Sequence, residues 1–246
     1  DMTDSLEIGT FCHENGHMTC MFPDLYSYEY HDDVYGPDIV GYYSLMSSGN
    51  YGGNGRHPTN IDPYLKTKAG WAEIVDVTSS THARAFLQAD RNFFYKYANP
   101  SNSQQYFILE NRNGSGYEGA YGGTYAVAPG SGLVVWQVFE GGNNPRSSIQ
   151  KSVDPTTISY EIPYEAFIVE STPTTSFTPW YSDRNPCAKS SDTFYASHGA
   201  DPLSDSSNPD LHFWDLSASK SGRTVSSGMN IHSYSGQGSK IGRAHV

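Results

Sequence analysis

The sequence predicts an α+β protein, in which a short helical segment precedes a long and mostly antiparallel β-rich region. Three observations carry this expectation. Residues 11–26, FCHENGHMTCMFPDLY, hold two histidines four apart with a glutamate after the first, His13-Glu14-x-x-His17. Two short runs, at 106–110 and 133–138, are apolar enough to be central strands and are separated by glycine-rich turns. Finally, Tyr (19), Gly (24) and Pro (14) are abundant while only 17% of residues are charged, which suits a loop-rich globular chain over a disordered or coiled-coil one.

The remaining composition excludes partners more than it names them. The 246 residues suffice for one large domain or two small ones. A formal charge of −11 with no basic cluster argues against nucleic acid and against anionic lipid surfaces. No apolar run reaches the 18 or so residues of a membrane span. Few lysines beside many Tyr, Ser, Asn and Gly suggest an extracellular, secreted protein. The cysteines Cys12, Cys20 and Cys187 form no CxxC spacing. A Cys12–Cys20 bridge requires the chain to reverse after His17, because eight residues of continuous helix span about 12 Å.

The N-terminal elements follow in order. Asp4 and Glu7 read as the cap of a helix, with Ile8, Phe11 and Cys12 as its apolar stripe. The helix ends before Pro23. On it, His13 and His17 share a face and can close on one zinc ion, whose bonds to imidazole nitrogen are about 2.0–2.1 Å. Glu14 is placed to serve as general base toward a water whose pKa the ion brings to about 7. The competing reading is a surface helix with two solvated histidines. A catalytic zinc takes three protein ligands, so one more comes from the acidic, tyrosine-rich segment at 24–36 or beyond, with Asp24 first and His31 second. In the glycine-rich stretch at 36–55, Met46 reads either as a residue of a tight turn under the metal or as ordinary core packing. Residues 57–71 predict a short helix with Asp62 as cap, Pro63 in its first turn, Gly70 at its end and Trp71 anchored in the core.

From residue 72 onward the pattern is one of short strands, with weaker candidates at 158–162 and 166–169 and a closing strand at 228–232. Glu110 and Gln137 lie on predicted strands, as structural polar groups or as parts of a cleft. Residues 172–209 read as an ordered polar loop, in which Asp183, Asp192, Asp201 and Asp205 are candidate calcium ligands without EF-hand spacing. Asn113-Gly-Ser115 fits the glycosylation acceptor pattern. The last six residues, IGRAHV, read as an adapter-derived tail outside the fold.

The order HExGH, PDLY, YYSLM-x-x-G, a helix ending in K-x-GW, YFILENR and GSGLVVWQV resembles the immune inhibitor A-type metalloproteases, secreted zinc endopeptidases related to the metzincins. The resemblance runs from about Ser5 to Ser235. It implies that His13, His17 and Asp24 bind zinc, that Glu14 is the general base, and that Met46 is the Met-turn residue beneath the metal. It further implies that residues 1–71 are the C-terminal part of a zincin-like catalytic domain lacking its upstream sheet subdomain, so that this fragment alone is inactive. Residues 72–240 then form a β-sandwich-like region. Cys20 departs from the family, which has glycine three residues after the second histidine, and Asp24 arrives one residue late. The expected function is hydrolysis of peptide bonds in protein or peptide substrates. A non-catalytic β-rich binding or adhesion module, or an inactive protease relative, is the alternative.

Overall fold

The computed structural model describes residues 6–26, 28, 30–31, 34–35, 39–78, 84–85, 92–112, 132–145, 163–169, 171, 202–217, 222–233 and 244–245. Helix α1 (Gly9–Cys20) comes first, then the two-residue strands β1 (Tyr30–His31) and β2 (Val34–Tyr35), 3-10 turns at Gly41–Tyr43 and Ser48–Tyr51, and helix α2 (Pro63–Lys68). The β-rich part follows as β3 (Glu73–Asp76), β4 (Arg84–Ala85), β5 (Phe93–Asn99), β6 (Asn102–Arg112), β7 (Gly132–Phe139) and β8 (Ala166–Ile168). It closes with β9 (Leu203–Ser204), β10 (Phe213–Asp215), β11 (Gly222–Val225), β12 (Asn230–Ser233) and β13 (Ala244–His245). The protein is thus mixed helix and sheet with few helices. Among the described residues every strand pairing except β3 with β5 is antiparallel. No helix among them is long and apolar enough to cross a membrane.

The main sheet has the order β3-β5-β6-β7-β8. Its middle is formed by the two apolar runs, which pair Ile108 with Trp136 and Leu109 with Val135. All eight residues of β7 are buried, as an apolar strand covered on both faces must be. Side chains alternate between those faces. On one, Phe107 meets Phe213 at 4.8 Å between ring centroids and Phe167 meets Trp214 at 6.0 Å, so the β10–β11 ribbon covers it. On the other, Trp136 meets Tyr43 edge-on at 6.5 Å, and Arg112 lies over the Tyr43 ring. That face carries the N-terminal helical segment. One apolar core runs through both parts, from Phe22, Leu25, Tyr43, Met46 and Leu65 to Val135, Trp136 and Ile168.

Several local expectations change. Helix α1 begins at Gly9 with Ile8 at its cap position and no capping side chain. Glu7 lies outside it, and Asp4 falls outside the described residues. The start is set by packing: the Gly9 amide donates to the Gly55 carbonyl at 2.8 Å, and a Cβ there would lie 1.8 Å from the Asn50 carbonyl oxygen. The buried face of α1 is Gly9, His13 and Gly16, whereas Phe11 and Met18 are exposed. Trp71 is half exposed against the Phe22 ring, because Gly70 (φ 72°) turns the chain toward the edge strand β3. Helix α2 does have the Asp62 cap, accepting from the Leu65 amide, and Pro63 in its first turn. Cys12 and Cys20 are unbridged on one continuous helix. Ala244 and His245, assigned above to a tail, pair with β4 and β12 through backbone bonds, which ask for no particular side chain. Residues 113–123, 158–162 and 172–200, with Cys187, Asp183, Asp192 and also Asp201, lie outside the described residues.

Candidate metal centre

Helix α1 places His13 and His17 one turn apart, with Nε2 atoms 3.1 Å from each other. The helix ends at Cys20, and the next residue, Met21, takes the left-handed conformation (φ 55°). This turn sends the chain back under the helix. The Phe22 carbonyl accepts from His17 Nδ1 at 2.6 Å, and Pro23 then delivers Asp24 to the same face. Asp24 Oδ1 lies 2.9 Å from His13 Nε2 and 3.1 Å from His17 Nε2. Asp24 is only 7% exposed and His13 5%.

The turn beneath the helix completes the arrangement. The Leu45 carbonyl accepts from His13 Nδ1 at 2.8 Å. The Ser44 hydroxyl receives the Met46 amide at 3.1 Å and donates to Asp62 Oδ2 at 2.7 Å. Asp62 is fully buried, and burial pushes its carboxyl up to about 6 despite the hydrogen bonds from Leu65 and Ser44. Met46 is fully buried against Gly16, where a Cβ would sit 2.6 Å from its sulfur. The Leu25 amide donates to the Met46 carbonyl at 2.8 Å. Asn144 ties this exit to the sheet: its Nδ2 donates to the carbonyls of Leu25 (2.9 Å) and Ala166 (2.7 Å), and its Oδ1 accepts from the Glu165 and Ala166 amides.

The protonation pattern decides what the site can do. Both histidines give their Nδ1 proton to a backbone carbonyl, so each neutral ring turns an Nε2 lone pair inward. Two lone pairs and a carboxylate oxygen then meet within 2.9–3.1 Å. Three acceptors that close repel one another unless a cation or a proton sits among them. Tetrahedral zinc with bonds of about 2.05 Å would set its ligands about 3.3 Å apart, so the donor set fits that ion. Without an ion a proton takes the place. Burial lowers the His13 pKa, but the hydrogen bonds to Asp24 and Leu45 and the nearby carboxylates outweigh it and hold the proton above the ordinary range. Burial likewise raises Asp24, yet its bonds to His13 and Tyr28 and the histidine charges draw it below the usual carboxylate value. His13, His17 and Asp24 thus form a group that could hold a metal ion.

Glu14 is exposed and sits about 60° around the helix from His17, on the flank of the metal face. The side chain of His31 lies outside the described residues. Asp205 accepts from Ser226 Oγ, from the Ser227 amide and hydroxyl and from the Gly228 amide, so it staples a turn and has no oxygen turned to a calcium ion. Glu110 and Gln137 are structural. Glu110 accepts from Trp136 Nε1 at 2.9 Å, and Gln137 joins His212 to Arg223. Sequence reading missed Tyr28, whose hydroxyl donates to Asp24 Oδ2, and Asn144. The tyrosines clustered after Asp24 were a signal for the first; nothing in the run GGNN around Asn144 marked the second. Comparison with protein-family models, with curated proteins and with solved structures finds no match to this chain.

Proposed function

We propose that this chain is a zinc-dependent peptidase, akin to the immune inhibitor A-type metalloproteases its motifs resemble, acting on protein or peptide substrates outside the cell. One observation carries the reading: three acceptors converge at 2.9–3.1 Å while both histidines are locked in the tautomer that offers Nε2. His13 and His17 would hold the ion through Nε2 and Asp24 through Oδ1. Zinc supplies, when bound, a Lewis acid that makes water nucleophilic near neutral pH and polarises a peptide carbonyl. Glu14 takes the proton from the attacking water and returns it to the leaving amine. Its exposure at the flank of the metal face is what such a role needs, since substrate must reach it. Met46 and the Leu45 carbonyl hold the helix and the His13 ring from beneath.

The test measures zinc content and peptidase activity of residues 1–246, wild type and Glu14→Gln. Wild-type activity overturns the expectation that this span alone is inactive, and zinc without activity in either protein leaves a metal site with no peptidase behind it. One zinc per chain in both proteins, with activity falling at least about 10²-fold in the variant, supports the reading. Equal, measurable activity in the two proteins sinks the role of Glu14. Absence of zinc from the wild type turns the assignment toward a non-catalytic β-rich module.

A further inference from the structure

We propose that Tyr28 is a positioning residue that holds Asp24 as a one-oxygen metal ligand and so keeps one coordination position open at the centre. This role rests on the metal-centre reading above. Asp24 divides its two oxygens between two neighbourhoods. Oδ1 faces the Nε2 atoms of His13 and His17 at 2.9 and 3.1 Å, while Oδ2 receives the Tyr28 hydroxyl. A carboxylate beside a divalent cation can bind through one oxygen or both. Binding through both would require the carboxylate to turn Oδ2 toward the ion, away from the place where the Tyr28 hydroxyl now meets it. The hydrogen bond therefore selects the one-oxygen mode, and with two imidazoles this makes three ligand atoms. A tetrahedral ion then has its fourth position free for water or substrate.

The phenol is itself held in place. The Tyr26 ring lies 5.3 Å from the Tyr28 ring and 6.3 Å from that of His13, forming an aromatic wall between them. Tyr28 is 48% exposed, so its hydroxyl, not its ring, is what the core would miss. Removal of that hydroxyl alone should leave the fold intact and loosen Oδ2, with the Tyr26 hydroxyl as the remaining phenol beside Asp24. Outer partners of metal ligands commonly influence affinity by about 10–100-fold, which sets the size of the effect to look for.

Cobalt(II), with its coordination-sensitive visible absorption, is the probe, added to wild type and Tyr28→Phe of residues 1–246. Wild type should bind one cobalt with the intense absorption of a four-coordinate ion. Tyr28→Phe should still bind one cobalt and melt at the wild-type temperature. Its absorption should fall toward the weak bands of a five-coordinate ion, with affinity reduced about tenfold or more. A variant whose spectrum and affinity match the wild type overturns the role of Tyr28 and leaves the metal centre standing. A wild type that binds neither cobalt nor zinc overturns both.

Discussion

Gly16 decides by lacking a side chain. It lies between the two histidines on the buried face of α1, and Met46 Sδ and Cε and the Phe22 ring occupy the space a Cβ would take. The close approach brings the helix down until His13 Nδ1 reaches the Leu45 carbonyl and the Nε2 atoms face Asp24. Alanine would add about 1 kcal/mol of helix propensity and about 1–3 kcal/mol of overpacking. We expect Gly16→Ala to lower stability by a net ~1 kcal/mol and to weaken metal binding. Combination with Met46→Val should recover part of both losses. Urea denaturation and zinc titration of the single and double variants check this, and unchanged affinity in Gly16→Ala would show that the contact with Met46 does not set the height of the histidines. The motif H-E-x-x-H was legible because it is local. The glycine within it has a reason only in the presence of Met46, thirty positions away in sequence.

The end of α1 sets the geometry of the site at the scale of the element. Met21 is 88% exposed and left-handed, so its side chain contributes little while its Cβ meets the following carbonyl. This conformation turns Phe22 and Asp24 back toward the histidines, and the protein tolerates its cost at a residue that cannot adopt it freely. Met21→Gly should raise stability by about 1 kcal/mol, since relief of the Cβ contact outweighs the added freedom of the unfolded chain. Thermal melts with and without zinc test it, and a drop in stability would mean that Met21 packs on something. Sequence spacing located the end of this helix to within a few residues, because proline cannot continue it. Its start was misplaced, because the cap pattern at Asp4 and Glu7 is a local signal and the bond from Gly9 to Gly55 is not.

At the scale of the whole molecule the candidate metal centre depends on the sheet through Asn144. This buried side chain uses all four of its polar positions, joining Leu25 at the exit of the site to Glu165 and Ala166 on β8 and its approach. Asn144→Ala strands several buried backbone groups, each worth about 1–3 kcal/mol when left unpaired. We expect a loss of about 3–5 kcal/mol, a large part of the roughly 5–15 kcal/mol that holds a domain folded, together with weaker zinc binding. Chemical denaturation gives the number. A loss below about 1 kcal/mol would show that water takes over the four bonds.

The sequence alone determined the candidate ligands and the central strands: two histidines one helical turn apart, a glutamate beside them, an aspartate past a proline turn, and two apolar runs that pair as the middle of a sheet. Periodicity and spacing are short-range, and short-range signals survive in a string of residues. Tertiary structure decided which ring nitrogens face inward, which oxygen of Asp24 meets them, where α1 begins, and that one core joins the helical segment to the sheet. Those depend on the carbonyls of Leu45 and Phe22, on Tyr28, and on Asn144, more than a hundred residues downstream of the site. Backbone carbonyls carry no sequence signature, and a hydrogen bond across such a span exists only once packing has closed the distance.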